Sequence, residues 1–453
     1  METPRVAVIG AGAAGLATLK ALADRRVPAV CFDAGGQVGG LWVYGSPGSA
    51  AYRTLHLNTS TGRTQFADLP MPAHWPAYPD HARIAGYLHD YAERFGLLDS
   101  VRLGHRVDRV ERRADGRWDV HATRPASVTG PAGPVSVTVD AVVVANGHNR
   151  EPKLPDPGYP GEFTGEQQHS HAYRGPDQLA GRRVLVVGGG NSAMDIAVDS
   201  AYAATRTLLS LRRGVWVVPK YLLGRPSDTL NGALARRLPW RARQRISQTM
   251  LAATVGDPTR YGLPRPGHGF LQDHPTLSDG LLSRLTHGDI EPRPGIARLH
   301  PDRVEFTDGR ADEVDLIVWC TGYRVEVPFL DRDLLGAAPD ALPLYRHVFH
   351  LDHPTLTFVG LMQSTGAAFP LVEAQARLVA GHLSGTYALP DRDRQVAACR
   401  AELRAATDRW GKRRPAMRVD FDAYLAELRR ELVVGARRAD RGRRVASPSG
   451  SVR

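Results

Sequence analysis

Short apolar runs, closed by glycine, set the plan of this chain. Residues 5–9 (RVAVI) are of strand length and break at Gly10-Ala11-Gly12, after which residues 16–23 read as a good helix former. A second apolar run at 29–32 ends at Asp33, and the run at 183–187 opens as the first does. Residues 141–145 and 316–319 are apolar throughout, closed by Asn146-Gly147 and by Cys320-Thr321-Gly322. Short strands at 107–111, 118–122 and 135–139, with turns at Asp115-Gly116 and around 130–134, predict a β-meander. Residues 84–95 carry Leu88, Tyr91, Ala92 and Phe95 on one stripe of an amphipathic helix, a core face rather than a cofactor contact. Prolines at 70–79 and 152–160 mark a loop and a linker. The stretch 214–300 mixes Pro, Gly and Arg with a helical piece at 241–255, and Asp308-Gly309 after 304–306 predicts a hairpin. In 360–377 a glycine-bearing turn leads into a helix near Pro370, with Glu373 in its first turn.

The first run is repeated. RVAVIGAGAAGLA at 5–17 matches RVLVVGGGNSAMD at 183–195, so Gly10, Gly12 and Gly15 correspond to Gly188, Gly190 and Ala193. G-x-G-x-x-G/A between a strand and a helix lets backbone approach a pyrophosphate, which then sits on the helix N-terminus. The two copies differ at the end of their second strands. The first ends in Asp33, an acceptor for a ribose hydroxyl; the second reaches Leu211 and then Arg212 and Arg213, which suit a 2′-phosphate. The first site therefore suits FAD or NAD and the second NADP(H). The expected fold is α/β, with two Rossmann-like dinucleotide-binding domains. The first is discontinuous (1–152 and 321–434) and carries the β-meander as an insertion; the second spans 153–320.

Composition narrows the class. Of 453 residues, 42% are apolar and 23% charged, as in a globular protein. No apolar run is long enough for a membrane span, and the first strand starts too early to leave room for a signal peptide. Cys31, Cys320 and Cys399 form no C-x-x-C, which argues for a cytoplasmic, reducing setting and against zinc or dithiol chemistry. The formal charge of +11 is partly local: residues 435–453 hold six arginines against Asp440 alone, and Arg236, Arg237, Arg241, Arg243 and Arg245 form a second cluster. These read as a disordered tail and a solvated helix face, with no nucleic-acid motif beside them.

Phe163, Gly165, His169, Tyr173 and Arg174 fit F-x-G-x-x-x-H-x-x-x-(Y/F)-(K/R), and this pattern resembles the signature of the flavin-containing monooxygenases. The resemblance extends to Gly39-Gly40 with Trp42, the Asn58 segment, 210–221, 274–279, 320–323 and the 360–377 helix. It implies FAD and NADPH as cofactors and small-molecule substrate and O₂ as partners, with a homodimer as an open option. NADPH would reduce FAD, and the reduced flavin would take up O₂ as a C4a-(hydro)peroxyflavin that a soft nitrogen or sulfur attacks. For FAD it implies Gly10, Gly12, Ala13, Ala14, Gly15, Asp33, Gly40, Leu41, Trp42, Asn58, Gln363 and Phe369. For NADPH it implies Gly188, Gly190, Asn191, Ser192, Arg212, Arg213, Thr321 and Gly322, and no metal.

Asn58 resembles the family's catalytic asparagine, and His169 is expected to orient the linker rather than to move protons. The N-terminus of the 360–377 helix could steady charge on a reduced flavin; a buried structural helix would look the same. The related Baeyer–Villiger monooxygenases carry Trp then Pro or Asp at the positions of Tyr173 and Arg174, and Asp at Asn58, so heteroatom oxygenation is favoured over ketone oxidation; an NADPH oxidase or flavin reductase is the other alternative. Ala145-Asn146-Gly147 departs from the family's Ala-Thr-Gly by a residue that turns equally well. Residues 214–290 are expected to contribute to substrate choice.

Overall fold

The computed structural model describes residues 5–446 except 125, 127–131, 231–237, 274 and 412–413. β1 (Val6–Ile9) leads through the glycine turn into α1 (Ala13–Ala23) and β2 (Ala29–Phe32). After α2 (His81–Arg94), β3 (Ala141–Val144) returns to the other side of β1. The unit then recurs: β4 (Glu166–His169), β5 (Arg183–Val187), α3 (Asn191–Ala203), β6 (Arg206–Ser210), a long insertion bearing α4 (Trp240–Thr254), and β7 (Leu316–Trp319). β8 (Leu356–Phe358), α5 (Phe369–Leu383) and α6 (Phe421–Ala446) complete the chain's main elements.

Two sheets result. The first runs Leu344–Tyr345, Phe349–His350, β8, β3, β1, β2, Val101–Arg102, parallel except for its first two strands. The second runs Glu291–Arg293, β6, β5, β7, β4 and is parallel throughout. Registers repeat: Val6 faces Ala29 as Val184 faces Thr207.

Both faces of each sheet are covered, so strand residues are apolar without alternation. Val6, Val8 and Val143 pack toward Leu16, Leu19 and Leu371 of the helices, while Ala7, Ile9 and Val142 pack toward Trp118 and Val120 of the meander. In the second sheet Val184, Val186 and Val318 meet Ala193 and Ile196, and Leu185, Val187 and Ile317 meet Val304 and Phe306. Each fully buried aliphatic side chain contributes about 1.5–3 kcal/mol.

The hairpin expected near 304–309 forms between Arg303–Phe306 and Ala311–Glu313, and Ile296–Leu299 adds a third strand, so that this sheet covers the second sheet as the meander covers the first. Two sequence expectations need correction. The basic stretch from Gly435 is helical to Ala446, not disordered, because tertiary contacts hold it: the Arg438 Nε–H donates to the Ala388 carbonyl at 2.8 Å, and Gly435 packs on the Tyr387 ring. Arg243 does not lie on a solvated helix face; its guanidinium turns inward to Asp420. Residues 447–453, Arg236, Arg237 and His274 lie outside the described residues.

α2 starts three residues before the apolar stripe, because the Asp80 carboxylate accepts the Arg83 N–H at 2.8 Å and caps it. The chain crosses between the sheets at Glu151–Pro152 and again at Tyr323–Arg324, and these two crossings pair antiparallel.

Gly10 has a φ of +107°, and a Cβ there would stand 2.4 Å from the Ala145 carbonyl oxygen. Gly10→Ala is expected to destabilise the fold by at least the ~1–3 kcal/mol of the strained backbone alone. Thermal melting checks this, and an unchanged midpoint would refute it.

Candidate active site

The two glycine turns present open helix ends. α1 begins after Gly12 and α3 after Gly190, and neither helix has a side-chain cap, so first-turn N–H groups remain for a ligand. Space is kept beside them. A Cβ on Gly12 would meet only the Gly40 backbone, at 3.7 Å, and one on Gly190 would meet nothing within 4 Å. Gly15 serves packing instead: its Cβ would stand 1.8 Å from the Gly10 carbonyl oxygen, which fixes how closely Ala13, Ala14 and the rest of the first turn approach β1.

Asp33 turns back onto the first turn. Its Oδ2 accepts the Ala11 N–H and its Oδ1 the Gly35 N–H, each at 2.6 Å. Burial raises its pKa, opposed by those bonds and by the Arg150 charge. Each oxygen keeps a second lone pair with which a ribose can bond. At the corresponding strand end Leu211 is buried, whereas Arg212 and Arg213 are exposed and make no ion pair among the described residues.

A cavity of about 470 Å³ opens between the two units. Leu41, Trp42, Asn58 and Phe369 line it from the first unit, Asn191 and Ser192 from the N-terminus of α3, and Val218, Leu222, Leu251 and Phe270 from the insertion. The Asn58 Oδ1 is buried with no hydrogen-bond partner among the described residues. An unpaired buried amide oxygen is costly and marks a position where a ligand donor fits. The Asn191 Oδ1 is already engaged by the Leu277 N–H, at 2.9 Å. Phe369 opens α5 and stacks on Phe66, ring centroids 5.0 Å apart. Glu373 is a brace: burial raises its pKa, and its carboxylate accepts the Ala67 N–H at 3.3 Å and Arg377 at 2.8 Å.

Other expected positions lie outside this cavity. Gln363 sits in a short strand paired with Arg418. The Thr321 hydroxyl donates to the Lys153 carbonyl at 2.5 Å and the Gly322 carbonyl accepts the Lys153 N–H at 3.0 Å, so both belong to the crossing between sheets. Gly188 abuts that segment, where a Cβ would stand 2.3 Å from the Cys320 carbonyl oxygen.

The signature stretch acts as a structural brace. Phe163 is buried against the outer face of the second sheet and Gly165 lies over its ring. The His169 Nδ1 accepts the His171 N–H at 3.0 Å, and burial lowers its pKa and keeps it neutral. The Tyr173 hydroxyl donates to the Asp199 Oδ2 at 2.7 Å, tying this segment to α3. Two further bonds to α3 escape a linear reading: the Tyr52 hydroxyl donates to the Asp195 Oδ2 at 2.5 Å, and the Thr54 hydroxyl to the Asp199 Oδ2 at 2.5 Å. The one visible clue is the spacing of Asp195 and Asp199, which puts both on one face of α3. Burial pushes the Asp195 carboxyl up to about 6, opposed first by the Tyr52 hydrogen bond and then by the Lys220 charge.

Comparison with known proteins gives concordant results. A family model described as "Flavin-binding monooxygenase-like" matches residues 3–438. The chain is 32% identical over 419 residues to "Flavin-containing monooxygenase 5" of Cavia porcellus, covering 88% of this chain and 76% of that protein. It is 33% identical over 453 residues to "Dimethylaniline monooxygenase [N-oxide-forming] 2" of Rattus norvegicus, covering 94% and 82%. Among solved structures, S-allyl-L-cysteine S-oxygenase from Allium sativum superposes with a TM-score of 0.71 at 25% identity, covering 99% of this chain and 94% of the other.

Two outcomes are expected. Arg212→Ala should weaken NADPH binding by tenfold or more while leaving NADH nearly unaffected, because only NADPH bears the 2′-phosphate; equal losses in a titration would refute the assignment. As pH rises from 3.8 to about 6, folded Asp195 retains a proton that the unfolded chain has released, so this group's contribution to stability falls across that window. Asp195→Asn keeps an acceptor for Tyr52 and removes the loss, so relative to wild type it should gain up to roughly 3 kcal/mol between pH 4 and 7. A pH-independent difference in melting midpoint would refute this.

Proposed function

The chain belongs to the flavin-binding monooxygenase-like family, and from that premise we propose that Asn58 and the cavity around it form its oxygenation site. The protein is an FAD- and NADPH-dependent monooxygenase that oxygenates a soft nitrogen or sulfur atom of a small molecule. FAD supplies the oxygen chemistry when bound, with NADPH as its hydride source.

The fit of these residues to the cofactors rests on the open glycine turns and the unpaired Asn58 Oδ1. In this reading the first-turn N–H groups of α1 and the carboxylate of Asp33 hold FAD, with Gly40, Leu41, Trp42 and Phe369 about its ring. Residues 1–152 and 321–434 form the FAD unit, with the helix beyond them attached to it. Residues 153–320 form the NADPH unit, where Asn191, Ser192 and the first turn of α3 hold the pyrophosphate and Arg212 and Arg213 the 2′-phosphate. The Asn58 side chain bonds and orients the reacting cofactor face. Leu222, Leu251 and Phe270 exclude water and protons from it, which favours transfer of oxygen to the substrate over loss as peroxide. A soft nucleophile needs no activating base, which agrees with a cavity wall that is mainly apolar.

Asn58 and the Tyr173-Arg174 pair favour heteroatom oxygenation over ketone oxidation. Cys31, Cys320 and Cys399 are unpaired, which supports a reducing compartment such as the cytoplasm. No helix among the described residues is long and apolar enough to cross a membrane.

The observation that carries this reading is the unpaired Asn58 Oδ1 in the cavity between the two units. Asn58→Ala should leave reduction of the bound flavin by NADPH within about threefold of wild type and divert most of the consumed O₂ to hydrogen peroxide. Stopped-flow reduction with a peroxide assay tests this; full coupling in the variant would remove Asn58 from the mechanism.

A further inference from the structure

Asn58 ends a strap, residues 52–58, that straddles the two units. Tyr52 is buried within the apolar core of the second unit, its ring centroid 5.6 Å from that of Tyr173, and Leu55 packs on the same core. Leu57 is buried in the core of the first unit. The backbone divides in the same way. The Arg53 N–H donates to the Arg174 carbonyl at 2.9 Å, whereas the Leu57 N–H donates to the Pro79 carbonyl and the His81 N–H to the Leu55 carbonyl, both at 2.9 Å. Asn58 is therefore placed by contacts on both sides of the cleft. On the second side they converge on α3, where Asn191, Asp195 and Asp199 are spaced by four and share one face. Asp195 takes the Tyr52 hydroxyl, and Asp199 takes the hydroxyls of both Thr54 and Tyr173. Loss of the Thr54 hydroxyl would still leave Asp199 a donor, so the Tyr52–Asp195 bond is the tie without a substitute. The open first turn of α3 lies one helical turn, about 5.4 Å, before Asp195. A helix moves as one body, so a ligand seated on that turn sets the position of both aspartates and, through their hydrogen bonds, of the strap.

We propose that Tyr52 is a positioning residue: through Asp195 it couples occupancy of the first turn of α3 by NADP(H) to the placement of Asn58. Asn58 is held firmly while the second unit carries its nucleotide and is freer when that unit is empty. Coupling is reciprocal, so the strap also steadies the nucleotide on α3. Tyr52 itself meets neither the reacting face nor the nucleotide; its effect passes through the five residues between it and Asn58. This deepens the reading of Asn58 above and rests on it.

The test uses the purified FAD-bound enzyme with NADP⁺ as the probe and no substrate. Hydrogen–deuterium exchange read by mass spectrometry follows the strap. NADP⁺ should slow exchange in the peptide covering residues 52–60 of the wild type at least threefold. In Tyr52→Phe that slowing should vanish, while saturating NADP⁺ still protects the first turn of α3. NADP⁺ should bind this variant about fivefold more weakly, the low end of ordinary coupling. Asp195→Ala should reproduce both effects and replaces Tyr52→Phe if that variant does not fold; Asp195→Asn, which keeps the acceptor, should retain the protection. The second readout is the rate of peroxide release with NADPH and O₂ alone. Tyr52→Phe and Asn58→Ala should each raise it at least fivefold, and the double variant should be no faster than Asn58→Ala, whereas an effect of Tyr52 on stability alone would add to that of Asn58. If NADP⁺ leaves residues 52–60 unprotected in the wild type, protects them equally in Tyr52→Phe, or the double variant is additive, the coupling is overturned and the Asn58 reading stands. If protection depends on Tyr52 and Asp195 but Asn58→Ala releases peroxide no faster than the wild type, the coupling stands and the Asn58 reading falls.

Discussion

At the root of both nucleotide turns a carbonyl oxygen occupies the place where a side chain would be. The Ala145 carbonyl stands against Gly10, and the Cys320 carbonyl against Gly188. Each carbonyl ends the strand that returns beside the turn, β3 or β7, so strand order and turn geometry are fixed by one contact. A side chain at either glycine would push the returning strand away and shift the cleft mouth. The two units then diverge in sequence: Gly15, where a Cβ would stand 1.8 Å from the Gly10 carbonyl oxygen, has Ala193 as its counterpart on α3.

The parts of this molecule governed by local spacing are those a linear reading recovers. Glycines at fixed offsets, apolar strands four or five residues long, and the contrast of Asp33 with Arg212 and Arg213 all lie within single supersecondary units. What escapes depends on residues far apart in the chain. The Tyr52 and Thr54 bonds to α3 join segments with no shared pattern. The ion pair of Arg243 with Asp420 joins α4 to the residue just before α6. Arg243 read as surface charge because nothing in its neighbourhood announces Asp420. The signature stretch was legible as a family mark, but its work as a brace between β4 and α3 appears only in three dimensions.

The insertion explains why the cavity wall is the least legible part. Val218, Leu222, Leu251 and Phe270 come from short irregular pieces whose apolar residues form a small core of their own. Such a core specifies packing volume rather than a motif, so its sequence can change while the cavity keeps its wall. The polar residues at its edge are more constrained, because a buried charge without a partner costs more than a methylene gained or lost.

The paired crossings at Glu151–Pro152 and Tyr323–Arg324 bear on how the chain is put together. The chain enters and leaves the second unit through adjacent strands, so the ends of that unit already lie side by side. In topological terms the second unit is a cassette set into one loop of the first. Its removal would require no rearrangement of the strands on either side, since the join would span a gap already closed. A chain built this way can acquire or exchange its second unit as a single piece, without disturbing the sheet of the first.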